Sequence, residues 1–427
     1  MTRILLLSTT TGYQLRSFGD AAERLGVQLA FATDCCHQLD DPWQDRAIPV
    51  RFHEEAESLD AIVDVARRRP VDGIVAVGDR PVVLAARAAR ALGLPGHPPD
   101  AAAASANKRM ARERFRTAGL LVPWFLELST AAPIDLALAH AQFPAVVKPL
   151  GLSGSRGVIR ADSATDLATA IARVRRLMRR PDVRVLRSAA EDTLLVEGFI
   201  PGREYAIEGV LTHGDLQVLA IFEKPDPLDG PFFEETIYVT PPDLDSGVQA
   251  NIVDTVRRAA VAIGLRHGPV HAECRIAADG VFMLEVAARP IGGLCSRVLR
   301  FDRPGETGLA SLEEVLLRHA LGQDVTRYAR EADASAVMMI PIPARGMLKR
   351  VEGENDARQV AGVVDVRITA KRDQLLEPLP EAGSYLGFIF ARGHRAADAE
   401  AAARDAHSRL RFVIDAPIPL VPNPCGD

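Results

Sequence analysis

Apolar and polar positions fall into three regimes along this chain. Over the first hundred residues, apolar runs at 4–8, 28–32 and 73–77 alternate with stretches of helical spacing at 21–25 and 59–68. Strand-length runs separated by helices predict an open parallel α/β sheet. A stretch rich in proline and alanine, residues 93–105, reads as a linker. Beyond about residue 330 the pattern shortens to strands at 337–340, 346–351, 363–368 and 385–391, and a small α+β domain is expected there.

Between these regimes, residues 271–289 (HAECRIAADGVFMLEVAAR) alternate with the strand period on both sides of a turn. His271, Glu273 and Arg275 share one face of the first strand, and Ala272, Cys274 and Ile276 the other. On the second strand, Leu284, Val286 and Ala288 are expected in the core, with Met283, Glu285, Ala287 and Arg289 opposite. A three-residue loop, Ala278-Asp279-Gly280, with Gly280 in the left-handed region would set Ile276 against Phe282 and Glu273 against Glu285. A two-residue Asp279-Gly280 turn would instead slip the register by one and put the carboxylates on different faces. Opposed carboxylates repel, and nothing in the sequence neutralises both. Hard oxygen donors of this kind suit magnesium, which completes its shell with phosphates and water. The competing reading is a solvated hairpin face.

Composition sharpens the search at one point. Only five of the 51 basic residues are lysine: Lys108, Lys148, Lys224, Lys349 and Lys371. A chain so biased toward arginine keeps lysine where a compact ammonium is needed rather than a planar fork. Lys148 closes the apolar run Ala145-Val146-Val147 and precedes the loop 151–157, which holds three glycines and two serines. Backbone N–H groups of such a loop can approach oxyanions without Cβ obstruction. No Gly-Lys-Ser/Thr ends it, so it is not a Walker A loop, and an ordinary turn is the alternative. The first turn, Thr9 to Tyr13, lacks GxGxxG, which disfavours a dinucleotide site of the usual kind.

The remaining composition excludes more than it suggests. A length of 427 residues is too great for one core and implies about three domains, and a hydrophobic content of 48% is that of a globular chain. A net charge of −5 gives no attraction to nucleic acid, and 5% aromatic residues leave few stacking platforms for single strands. The arginine run 173–180 reads as the solvated face of a helix. No stretch reaches the ~20 apolar residues of a membrane span, and the start lacks a signal-peptide cleavage region, so a cytoplasmic location is expected. Cys35, Cys36, Cys274, Cys295 and Cys425 form no CxxC pair, which fits a reducing compartment.

In this order the pieces, from roughly residue 100 to 325, resemble the ATP-grasp superfamily of carboxylate-amine ligases. The resemblance implies a fold of α/β and α+β parts: an N-terminal open parallel sheet domain (1–105), an ATP-grasp domain (106–330, lid about 144–211) and a C-terminal α+β domain (331–427). Asn107-Lys108 would open the helix that supplies one phosphate-binding lysine, and Lys148 would be the second. Residues 151–157, with Ser153, Gly154, Ser155 and Gly157, would form the flap over the phosphates of ATP. Glu197 and the backbone at Phe199 and Ile200 would meet adenine, and Glu204 the ribose. Glu273 and Glu285 would carry one or two Mg2+ ions, and Arg289 would grip an acyl phosphate. Where the family has asparagine this chain has Ala287, so water or another side chain must replace one metal ligand. The segment after 330 resembles the C-terminal domain of L-amino acid ligases, which join two amino acids.

The substrates implied are a small carboxylate, amino-acid-like, and an amine, with a homodimer left open. Glu235 and Tyr238 in 232–238 are expected to meet an ammonium group and an acyl chain, and Arg297 a substrate carboxylate. Structural strands and a surface ion pair are the alternatives. Cys295 lies just after the active strand and would line the pocket, while a catalytic thiol is disfavoured because no histidine partner is near in sequence. Two rivals stand beside this reading. One is a ligase like biotin carboxylase or the ribonucleotide synthetases, which would not respond to amino acids; the other is a non-catalytic nucleotide-binding regulatory protein, motivated by Ala287.

Overall fold

The computed structural model describes residues 2–9, 14–34, 47–186, 190, 192–303, 305 and 307–416. Cys35, Cys36, Cys425 and most of the first turn lie outside them. The N-terminal expectation holds. Strands Arg3–Ser8, Gln28–Thr33, Ala47–Pro49 and Gly73–Val77 pair in parallel, joined by helices Leu15–Leu25 and Glu55–Arg68. Arg3–Ser8 lies inside this sheet and is buried along its length, as a parallel strand covered on both faces must be.

The linker expectation does not hold. Residues 99–105 form the helix Pro99–Ser105, whose Ala101, Ala102 and Ala104 are buried in a core shared with the central sheet. Proline is tolerated in the first turn of a helix, where an N–H has no partner, and alanine favours helix most. The segment joins two layers by packing between them.

Two further sheets build the middle of the molecule. A small antiparallel sheet runs Phe125–Ser129, Thr193–Gly198, Ala145–Pro149, Ile159–Ala161 and is covered by helix Ala164–Met178. Phe125–Ser129 thus belongs with the lid, whereas Arg203–Thr212 enters the large sheet. The large sheet has eight strands in the order Gly280–Ala287, Gly268–Ala277, Arg203–Thr212, Asp215–Lys224, Ile237–Thr240, Ala334–Ile340, Gly387–Gly393, Val363–Ile368. Three strands from beyond residue 330 therefore extend the central sheet itself, and helix Ala396–Arg409 packs its alanines on that extension. Among the described residues, no helix is long and apolar enough to cross a membrane.

The hairpin at 268–287 reaches the expected pairing by another route. Ala277 pairs with Gly280, so the turn is Ala278-Asp279, and Ile276 opposes Val281 rather than Phe282. A bulge then inserts Leu284: Cys274 faces Met283, the next pair is Glu273 with Glu285, and His271 faces Ala287. The extra residue reverses the alternation beyond the turn. Met283 is consequently buried in the core beside Cys274, and Leu284 borders a cavity, the opposite of the assignment made from strict alternation.

Gly202, which enters strand Arg203–Thr212, has φ +102°, and a Cβ there would lie 1.9 Å from the Ile276 carbonyl oxygen. Gly202→Ala is expected to cost at least about 2 kcal/mol, combining backbone strain with a steric overlap. Urea unfolding followed by circular dichroism measures it.

Candidate active site

A cavity of about 610 Å³ opens where the carboxyl end of the N-terminal sheet, the lid, the large sheet and residues 383–388 meet. Strand edges aim side chains into it by register. Across the large sheet, Lys224, Glu204 and Arg275 pair in one row, and Ala206, Glu273 and Glu285 in the next. Glu208, His271 and Ala287 form a third. Directly paired residues point to the same face, so opposite charges become neighbours.

The Lys224 ammonium donates to three carboxylates, Glu204 at 2.6 Å, Glu235 at 2.7 Å and Glu273 at 3.0 Å. Burial would lower its pKa, but these three acids hold it well above the usual lysine value. Arg275 donates to the other oxygen of Glu204 at 2.8 Å. His271 meets Glu208 through Nδ1 and lies 3.4 Å from Glu273 through Nε2. Burial opposes its protonation, yet Glu208 raises its pKa to about 9. Glu273 stays ionised, since Lys224 and His271 outweigh its burial. The expectation that nothing neutralises the carboxylate pair is therefore corrected: the cations come from Lys224 and His271 on Glu273, and from Lys108 at 3.7 Å and Arg289 at 3.8 Å on Glu285.

A second buried group lies under the lid. Glu197 sits opposite Val146, one diagonal from Lys148, so the lysine and the acid share a face and pair. Arg112, on helix Lys108–Thr117, is fully buried and donates to Glu197 at 3.0 and 3.3 Å. It also donates to the carbonyls of Met283 at 2.9 Å and Leu284 at 2.8 Å, at the hairpin bulge. Burial alone would raise the pKa of Glu197; Arg112 and Lys148 bring it to about 2. For Lys148, desolvation prevails over Glu197 and its pKa is lowered. The helix begins at Asn107, whose side chain accepts the N–H groups of Arg109 and Met110, and this cap aims Lys108 at the flap, where it donates to the Leu152 carbonyl at 3.2 Å.

Most of the residues singled out from the sequence converge here. Lys108, Lys148, Ser153, Gly154, Ser155, Glu197, Phe199, Ile200, Glu204, Glu273, Glu285 and Arg289 all line the cavity, and Glu235, Tyr238 and Cys295 line it with Tyr385 and Phe388. Glu197 and Glu204 are each engaged by two buried cations, which leaves them less open to adenine and ribose than their sequence positions suggest. Arg289 donates to Asp79 of the N-terminal domain at 2.6 Å. Cys295 has its thiol pKa pushed up by burial and lies 3.8 Å from the Met339 sulfur, an inert setting for a nucleophile. Two residues do not border the cavity. Arg297 pairs with Asp365 at 3.1 Å and stacks on Phe390, and the Gly157 N–H donates to Pro380.

Sequence reading missed Arg112, Lys224, His271, Glu208, Asp79 and Gln14. Lys224 carried a signal in the scarcity of lysine, and His271 lay on the polar face already drawn. Arg112 is one of four arginines in a basic helix, and nothing local distinguishes it. Asp79 and Gln14 reach the site only through the packing of another domain.

Three sequence families match the chain. One described as ATP-grasp domain covers residues 141–298, one as L-amino acid ligase C-terminal domain 2 covers 338–415, and one as ATP-grasp N-terminal domain covers 19–96. The chain is 25% identical over 402 residues to protein y4rH of Sinorhizobium fredii, covering 92% of this chain and 79% of that protein. It is 26% identical over 236 residues to the alanine–anticapsin ligase of Bacillus amyloliquefaciens, spanning 52% of this chain and 49% of that ligase, about half its length. The solved structure of the L-amino acid ligase from Bacillus licheniformis superposes with a TM-score of 0.81 at 27% identity, over 97% of this chain and 99% of that one.

Because the pKa of Glu197 is depressed from 4.5 to about 2, its ionic contacts stabilise the fold fully above pH 4.5 and lose that contribution as pH falls toward 2. The contribution is on the order of 3 kcal/mol. Glu197→Gln should lower stability at pH 7 by roughly 3–5 kcal/mol, since Arg112 and Lys148 are left buried without their acid. It should also flatten the loss of stability between pH 4.5 and 2, read by denaturant melts across that range.

Proposed function

We propose, from the match of residues 141–298 to an ATP-grasp domain and of residues 338–415 to an L-amino acid ligase C-terminal domain, that the chain joins an amino-acid-like carboxylate to an amine through an acyl phosphate, releasing ADP and phosphate. One observation carries the reading: Glu273 and Glu285 face each other on paired strands, inside a cavity that also holds Lys108, Lys148, Arg289 and the flap residues 152–155. Cations, hard oxygen donors and a glycine-rich loop converge where a triphosphate needs all three.

The donor set fits magnesium. Both carboxylates are partly open to the cavity, at 20% and 23% side-chain exposure, and the cations nearest Glu285 stand beyond hydrogen-bond distance, which leaves its oxygens free to coordinate. Glu273 and Glu285 would hold the ion, and when bound it offsets charge on the transferred phosphoryl group.

The chain's own groups account for the remaining requirements. A substrate carboxylate oxygen bonds to the γ-phosphorus as the bond to ADP breaks, and the amine nitrogen then bonds to the acyl carbon as phosphate leaves with the C–O electron pair. Lys108, from helix Lys108–Thr117, and Lys148, from the lid strand Ala145–Pro149, would both offset the phosphate charge, which lowers the cost of crowding it. Arg289 has its guanidinium locked by Asp79, so it meets the acyl phosphate without reorganising. Glu235 holds its proton more readily than an ordinary glutamate because burial outweighs Lys224, and it borders the cavity end where an ammonium group would release a proton. The flap over the phosphates keeps water from the acyl phosphate.

A solved biotin carboxylase and a ribonucleotide synthetase share the fold at 16% and 14% identity, which supports the architecture and not their substrates. Phosphate release measured over pairs of amino acids, with mass spectrometry of the product, tests the proposal. ADP and an amide should appear only when carboxylate, amine and Mg-ATP are all present. Glu285→Gln should lower kcat/KM by at least 100-fold, about 3 kcal/mol of transition-state stabilisation. Tight ATP binding with neither ADP nor AMP released for any pair would sink it in favour of a regulatory nucleotide-binding protein.

A further inference from the structure

The arginine run 173–180 and the turn 377–384 play no part in the chemistry above, yet they meet beside the flap. Arg173, on helix Ala164–Met178, donates from Nε and Nη2 to the two oxygens of Glu381 at 2.7 and 2.8 Å. Arg180 donates to Glu377 at 2.6 Å. The flap joins the same turn: the Gly157 N–H donates to the Pro380 carbonyl at 3.0 Å, and Arg156 Nε to the Glu381 carbonyl at 2.8 Å. At Gly383 the two loops touch, since a Cβ there would stand 3.0 Å from the Gly154 carbonyl oxygen.

We propose that the turn 377–384 is a latch that holds the flap 151–157 over the cavity, with Glu381 as its positioning residue. Three features argue for a latch rather than fixed packing. The hydrogen bonds to the flap are few and reach it at its last residues, Arg156 and Gly157, beside the close approach of Gly383 to Gly154. The Arg173–Glu381 pair is about one-third exposed on both partners, so it can open and close without burying or stranding a charge. The third feature is continuity: Gly383, which touches the flap, is followed by Ser384 and Tyr385, all three line the cavity, and Tyr385 packs against the cluster that holds Tyr238 and Cys295. A molecule seated against Tyr385 thus bears on the same turn that grips the flap. This ties closure over the phosphates to occupancy of the cavity at Tyr385, and the functional side of the inference rests on the nucleotide reading above.

The test uses the full chain and amide hydrogen exchange of the peptide covering 151–157, with and without Mg2+ and the non-hydrolysable nucleotide AMP-PNP. In Glu381→Gln the segment should exchange at least tenfold faster than in the unsubstituted protein, with an unchanged melting temperature, and AMP-PNP should bind several-fold more weakly. Exchanging the charges, Arg173→Glu with Glu381→Arg, should restore protection, which a merely structural role for either residue would not. Unchanged exchange in Glu381→Gln overturns the latch. If AMP-PNP binds neither protein, the nucleotide reading fails, while exchange in the unliganded proteins still decides whether the turn holds the flap.

Discussion

The architecture of the site depends on one buried guanidinium. Arg112 has no exposure to solvent, and a cation in that position is tolerable only if its donors are met by acceptors of the right geometry. Glu197 supplies a carboxylate from the lid strand, while Met283 and Leu284 supply carbonyls at the bulge of the hairpin 268–287. Three separate pieces of chain are therefore held to one plane of hydrogen bonds. That plane sets Lys148 beside Glu197, places Lys108 within 3.7 Å of Glu285, and fixes the bulge that turns Glu285 toward Glu273.

Around this anchor the large sheet arranges charge in rows. Lys224, Glu204 and Arg275 alternate in sign across three strands, and Glu208 meets His271 in a parallel row. Lys224 and His271 from these rows offset the burial of Glu273, so that acid remains charged. The row of Glu273 and Glu285 is the exception, two acids directly opposed with cations only at their flanks. Two acids side by side at a cavity wall, with Lys108, Lys148 and Arg289 around them, are the arrangement that a metal-bound triphosphate would complement under the proposed function.

The segment beyond residue 330 bears on the site more directly than its sequence suggests. Its strands continue the central sheet, and its turn at 377–384 closes against the flap. Tyr385 and Phe388 pack with Tyr238 and Cys295 in one apolar cluster that lines the cavity. One face of the pocket is thus assembled from residues about 150 positions apart in the chain, and the position of the flap depends on both.

Local patterns were enough for the N-terminal parallel sheet, for the strands beyond 330, and for Lys148 and the facing of Glu273 and Glu285, because period and unusual residue choice are properties of neighbouring positions. Lys148 ends a buried strand and the two acids lie on one hairpin, whereas Lys108, Glu197 and Glu204 were singled out only through the resemblance to a family. What neighbouring positions do not encode is which buried charge meets which. The bulge at Leu284 is stabilised by Arg112 from a distant helix, the linker reading failed because Pro99–Ser105 had a core to pack against, and Arg297 turned to Asp365 instead of the cavity. Ion pairing under burial and the inclusion of late strands in the central sheet are long-range choices, decided by the free energy of the assembled fold rather than by any segment of it.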